Sequence, residues 1–508
     1  MKSNPWIGKP CGEPIIIDDF GPLLTDSDHW RLEENSFGAK RGQLLYADES
    51  RQASLTVELP IRPDQKHAIF IGSFSPGGRR YLLYVRLSDE KHFTNLQTER
   101  HEPAFEEMYF RTAELNGQHL ELTNFDRDAC IDYIKLVPVE QGNLPKPTGT
   151  TIGILDFADD AGISRPEMFE AGSAVTRHAE AGYDMIMWKA YAVRCEYHTK
   201  IGEIRGYSAK DEMEQANDGL ASDNRGIASV LKKHDTMRQA VDVAHEVGLP
   251  IYGWARINNE FSRMDHQFSA TTPFHKANPD KFQQHKDGRF TCKLSFAYPE
   301  VRQHKIGILC EIASYGMDGI LIDVLRHPAM ALYDGPIVEE FIKQGGEDPR
   351  HMDNDGSEDW LRFRCRAFTQ FLKEASAALD EQRGSHVPLM VRTVDQPARN
   401  LVIGCDVDAW LAEGIVDGII FGPHCATAEN YPEDLHISSY LEKAKQTRIY
   451  GQVWRYGSGL HAEAMSRALY ELGADGVALY ESNATVALPS MRKRLWRFSR
   501  PESLPDRS

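Results

Sequence analysis

The sequence predicts an α/β protein: a (β/α)8 TIM barrel preceded by an all-β sandwich domain. Three observations carry this. Residues 1–140 show short segments of period-two alternation and almost no helical period. After Gly149, short apolar runs alternate with amphipathic stretches of helical period. Eight such runs follow in series, which is the number that closes a parallel barrel.

The alternating segments of the first region are 53–59, 67–71, 81–87, 108–111, 119–122 and 131–137. Turn residues such as Ser75-Pro-Gly-Gly78 and Asn116-Gly117 separate them. Many short strands between turn signals define a β-sandwich. Residues 141–149, with Gly142, Pro145, Pro147 and Gly149, read as a linker.

In the second region, 150–498, the apolar runs are 152–157, 185–188, 250–255, 319–324, 387–391, 418–421, 449–454 and 476–480. Helical stretches between them are clearest at 168–182, 236–248, 301–316, 360–379, 407–414, 435–445 and 460–473, and 489–498 can supply the eighth helix. Gly248 and Gly473 each follow a helical stretch as C-caps. Ser357, before Glu358 and Asp359, reads as an N-cap. An open doubly wound sheet would show a GxGxxG loop after its first strand, where this chain has Ala158-Asp-Asp-Ala-Gly162. Residues 499–508 form a tail.

The chain has 508 residues and a net charge of −17, which disfavours a nucleic-acid partner. It shows no signal-peptide core and no apolar run long enough to span a membrane. The eight cysteines (Cys11, Cys130, Cys195, Cys292, Cys310, Cys365, Cys405 and Cys425) are scattered, which fits reduced thiols and a cytoplasmic setting. A homo-oligomer stays open. No metal or cofactor is implied: His266, His275 and His285 match no zinc spacing, and the stretch 353–359 fails as a calcium loop.

Barrel active sites lie at the C-terminal ends of the strands. The residues there are Asp156 (strand one), Trp188, Lys189 and Arg194 (two), Trp254, Arg256 and Glu260 (three), Asp323, Arg326 and His327 (four), Arg392 and Asp395 (five), His424 (six), Trp454 (seven), and Tyr480 and Glu481 (eight). Carboxylates on several strand ends, with aromatic rings among them, suit glycoside hydrolysis. One carboxyl protonates the leaving oxygen while another attacks or activates water, and flat rings stack on sugars.

Asp323 ends a wholly apolar strand, where a carboxylate is costly unless it faces the cavity mouth. Arg326 could pair with it; the plainer reading is an ion pair tying a loop down. Glu481 is the second catalytic candidate and Asp395 the third; a capping or hydroxyl-binding role is the plainer reading of Glu481. The cations at the strand ends raise an anionic sugar, uronate or sulfated, as substrate, or they simply pair with the carboxylates. A non-catalytic carbohydrate-binding barrel and a Schiff-base lyase or isomerase using Lys189 are the other readings.

The stretch Asp318-Gly-Ile-Leu-Ile-Asp-Val-Leu-Arg-His-Pro328 resembles the Asp-Gly-Ile-His-Leu-Asp-Tyr-Ile-Arg-Tyr-Pro signature of the "family 10 glycosyl hydrolase-like" group. Tyr298-Pro-Glu-Val-Arg302 is similar to that group's Asn-Pro-Glu-Val-Arg, and 400–422 to its later segment. The resemblance covers about 150–490. It implies a (β/α)8 barrel, action on glycosidic bonds, and a functional Asp323 with Arg326 close by. Val324 and His327 depart from the signature, each standing where it has Tyr. In this setting the sandwich looks like a carbohydrate-binding or barrel-packing accessory domain.

Overall fold

The computed structural model describes residues 4–26, 29–35, 38–60, 65–76, 81–99, 102–125, 127–156, 171–205, 218–259, 272–326, 328–353, 356–423, 436–453 and 459–505. Its N-terminal part is antiparallel. One sheet holds Lys9–Pro10, Ile15–Ile17, Lys66–Pro76, Pro103–Glu114 and Tyr133–Glu140. A second holds Ala53–Glu58, Leu82–Leu87, Thr94–Gln97 and His119–Asn124, and a third Arg31–Glu34, Gln43–Ala47 and Ala129–Ile131. In Ala53–Glu58 alternate residues are buried and exposed, the pattern that the sequence shows. The buried faces share one core, with Leu55, Val57, Ile69, Ile71, Leu122 and Ile134 in it.

The second part is the barrel. Its strands are β1 (Thr150–Leu155), β2 (Met185–Ala192), β3 (Ile251–Arg256), β4 (Gly319–Asp323), β5 (Leu389–Thr393), β6 (Gly418–Phe421), β7 (Arg448–Val453) and β8 (Gly476–Tyr480). Each pairs in parallel with the next, and β1 pairs with both β2 and β8, so the sheet closes. Fully buried strands read as near-continuous apolar runs, which is why all eight are visible in the sequence, seven of them within two residues at each end and β2 four residues short at its C-terminal end.

The helices follow the same logic. Ser357 caps Glu358–Arg383 by accepting the Trp360 N–H, and Gly248 and Gly473 adopt positive φ after their helices. The eighth helix differs from expectation. It opens directly after β8 as Ser482–Ala487, then breaks before Pro489–Arg492, because Pro489 supplies no N–H to continue the ladder. The helix Asp218–Lys233 lies between β2 and the helix Thr236–Glu246, outside the helical stretches that the sequence shows most clearly. Among the described residues no helix is long and apolar enough to cross a membrane. The seven described cysteines are free thiols, four of them buried.

The bottom of the barrel carries a repeated latch. Asp184, Asp318, Asp417 and Asp475 each stand immediately before an even-numbered strand. Each carboxylate accepts the N–H of one residue at the start of the preceding odd strand: Thr151, Ile251, Leu389 and Ile449, at 2.7–2.9 Å. Each aspartate N–H donates back to the carbonyl of that same residue. The barrel is thus four reciprocally pinned strand pairs.

Sandwich and barrel meet through ions that are partly or wholly buried. Glu180 accepts from Arg492 of the barrel at 3.0 Å and from Arg111 and Thr94 of the sandwich at 2.5 and 2.9 Å. Arg492 also donates to the Phe110 carbonyl, and Arg177 to Asn95.

Candidate active site at the barrel mouth

Alternation along each strand decides what enters the barrel. The interior cluster contains Ile154, Met187, Trp254, Leu321, Met390, Ile420, Tyr450 and Ala478, one from each strand. Two residues further on, towards the C-terminal ends, the same inward track brings Asp156, Lys189, Arg256, Asp323, Arg392, Gly422, Gln452 and Tyr480 together. Apolar packing therefore gives way within one turn of the pleat to a ring of charge. Gly422 is the small member: a Cβ there would come within 2.9 Å of the Gln452 Oε1 atom.

The ring is bonded into two linked halves. In one, Lys189 Nζ donates to both oxygens of Asp156 at 2.8 and 2.9 Å, and Arg256 reaches Asp156 Oδ2 at 3.1 Å. Burial alone would raise the Asp156 pKa, but Lys189 and Arg256 outweigh it and hold the carboxyl well below its usual range. In the other half, Asp323 Oδ2 accepts from Arg392 at 2.9 Å and from the Trp254 indole at 3.0 Å, and Oδ1 from the Leu325 N–H at 2.9 Å. Gln452 Oε1 accepts from Arg392 Nε and Nη2.

Tyr480 joins the halves. Its hydroxyl accepts from Arg256 at 2.7 Å. The Arg392 guanidinium lies over its ring at 4.4 Å, and Trp254 meets it edge-on at 5.8 Å. Burial raises the Tyr480 pKa and the two arginines oppose that only in part, so the phenol keeps its proton at neutral pH. The second guanidinium, Arg256, lies over Trp254 at 4.5 Å. Arginine thus lies against both rings, which makes them the floor of the site more than open stacking platforms.

Several sequence-derived candidates are placed differently from expectation. Trp188 faces the helix layer, because Met187 and Lys189 take the inward positions on β2. Arg194 lies on a short return strand, Arg194–Cys195, and pairs with Glu203 at 2.9 Å. The arginine on Asp323 is Arg392 from the neighbouring strand, while Arg326 is exposed; sequence proximity misleads here because lateral strand neighbours are closer than loop residues. Asp395 accepts the His436 N–H at 2.8 Å, a loop anchor. Glu481 is half-buried at the rim beside Tyr480, with a left-handed φ of 52°. Glu260, His327, His424 and Trp454 lie outside the described residues.

Two members of the site escape the sequence reading. Gln452 is inward on β7 and fixes Arg392, and only strict alternation from Tyr450 would have found it. Glu196, fully buried, bridges Lys189 at 3.0 Å and Arg205 at 2.5 Å. It reaches Lys189 because the chain reverses at Val193, which holds a φ of 72°, a strained conformation for a β-branched residue. No periodicity signals such a reversal.

The sequence matches no family model and no curated protein. Among solved structures the chain is similar to the PgaB (BpsB) glycoside hydrolase domain of Bordetella bronchiseptica, at 14% identity over 66% of this chain and 95% of that one, TM-score 0.45. It is also similar to the β-amylase catalytic domain of Paenibacillus polymyxa, at 11% identity over 71% and 100%, TM-score 0.44. TtGalA, the α-galactosidase of Thermus thermophilus, aligns at 12% identity over 96% and 95%, TM-score 0.35. Likenesses this distant leave the chemistry to the residues of the barrel mouth.

Proposed function

We propose that the barrel hydrolyses O-glycosidic bonds of an oligo- or polysaccharide by a two-carboxylate mechanism. The observation that carries this reading is the Asp323 carboxylate at the inner end of β4, oriented by Arg392, Trp254 and the Leu325 N–H. A carboxylate held by three donors is suited to act as nucleophile or base. Glu481, at the rim of β8, takes the part of the acid; Asp395 is turned to the His436 N–H and Asp156 is bound to two cations.

The pairing of Lys189, Arg256 and Arg392 with carboxylates supports a neutral sugar over an anionic one. Lys189 is engaged by both Asp156 and Glu196, which favours an electrostatic role over a nucleophilic one. The test is a panel of neutral, uronic and sulfated oligosaccharides, read by reducing-end release. Neutral substrates should be cleaved by the native protein and bound, but not cleaved, by Asp323→Asn. Turnover by Asp323→Asn equal to the native rate would overturn the assignment.

A further inference from the structure

Tyr480 differs from the other inward residues of the ring. Asp156, Lys189, Arg256, Asp323, Arg392 and Gln452 are all buried, whereas Tyr480 is half-buried. Its oxygen accepts from Arg256, so its own hydrogen must point elsewhere. Among the described residues nothing accepts that hydrogen. The ring is packed by Arg392 on a face and by Trp254 at an edge.

We propose that the Tyr480 hydroxyl is a preorganised hydrogen-bond donor to the oxygen of the bond being cleaved, stabilising the charge that gathers there as the bond breaks. This rests on the hydrolase reading and adds to it a group outside the carboxylate pair. A donor fixed before substrate arrives needs no reorganisation during reaction, which is what makes such groups effective. The Arg256 guanidinium donating into the phenol oxygen polarises the O–H further. Asp156 in turn holds Arg256, so the deep ion pairs set the aim of the tyrosine. Glu481, next in the chain, is the group assigned above to deliver the proton.

The measurement is kcat/KM of Tyr480→Phe on two glycosides of whichever sugar the native protein cleaves. One carries a 4-nitrophenyl leaving group and the other an alkyl alcohol. Loss of a preorganised donor costs about 10²–10³-fold, and the expected loss reaches that on the alkyl glycoside. On the nitrophenyl glycoside, whose leaving group needs little help, it should stay under about tenfold. Equal losses on both, or none, would overturn the proposal. Arg256→Lys, which keeps the charge but loses the fixed fork, is the second variant and should show the same leaving-group dependence in weaker form. A native protein that cleaves no glycoside overturns the hydrolase reading and this one together; a native protein that cleaves, with a variant indifferent to leaving group, overturns this one alone.

Discussion

Arg392 donates to Asp323 across 2.9 Å between two neighbouring strand ends, with the side chains 5% and 0% exposed. Removing one partner of such a pair strands a buried charge, at about 3–5 kcal/mol. Arg392→Met should therefore lower stability by roughly that amount in urea unfolding. Arg392→Met combined with Asp323→Asn should cost less than the two single changes summed. Additive losses would mean that the pair is not energetically coupled.

His178 gives the protein a defined acid sensitivity. Burial, reinforced by Arg177, lowers its pKa to about 3 from an ordinary 6.5. Nδ1 donates to the Ala174 carbonyl and Nε2 accepts from Ser482. Between those two pH values the unfolded histidine holds a proton that the folded one lacks, so stability falls as pH drops from about 6.5 towards 3. His178→Asn should be less stable at pH 7.5 but should lose less on going to pH 4.5. Denaturation midpoints at the two pH values would show it.

The four aspartate latches should matter for stability and leave chemistry alone, since they sit at the end of the barrel opposite the charged ring. Alanine at Asp318, Asp417 or Asp475 leaves a strand-initial N–H without its acceptor, at about 1–3 kcal/mol each. Asparagine at the same sites keeps an acceptor oxygen and should recover most of the loss. Melting temperatures would report both changes, and kcat should stay near the native value.

Lys189 should resist trapping as an imine. Its ammonium group is shared between Asp156 and Glu196, so borohydride with a carbonyl sugar should leave its mass unchanged. A stable adduct on Lys189 would instead favour the lyase reading.

The barrel is legible in the sequence because each strand is buried on both faces and writes itself as an unbroken apolar run. The inward ring is half legible. Asp156, Lys189, Arg256, Asp323, Arg392 and Tyr480 all lie within one residue of the end of such a run, and counting by twos separates them from the outward Trp188. Which charge meets which is not legible, because pairing depends on lateral register: Asp323 lies opposite Arg392 on β5 and Arg256 on β3. The recurring Asp-Gly of 318, 417 and 475 is plain in the sequence, yet its meaning appears only when each carboxylate is seen to reach the strand before it. Glu196 depends on one strained residue, Val193, and no composition rule anticipates that.

The latches divide the ring into unequal seams. Within the pairs β1–β2, β3–β4, β5–β6 and β7–β8 a carboxylate locks the first residues together. At β2–β3 and β4–β5 the corresponding position is filled by the carbonyl of Pro250 or Pro388, which accepts from Ile186 or Ile320 without a side-chain bond in return. The chain is therefore modular in quarters. New termini placed before Pro250 or Pro388 would leave every latch inside an intact segment, whereas a cut between the members of a pair would sever one. Circular permutants and complementing half-barrels have a natural grain to follow, and it runs between the pinned pairs.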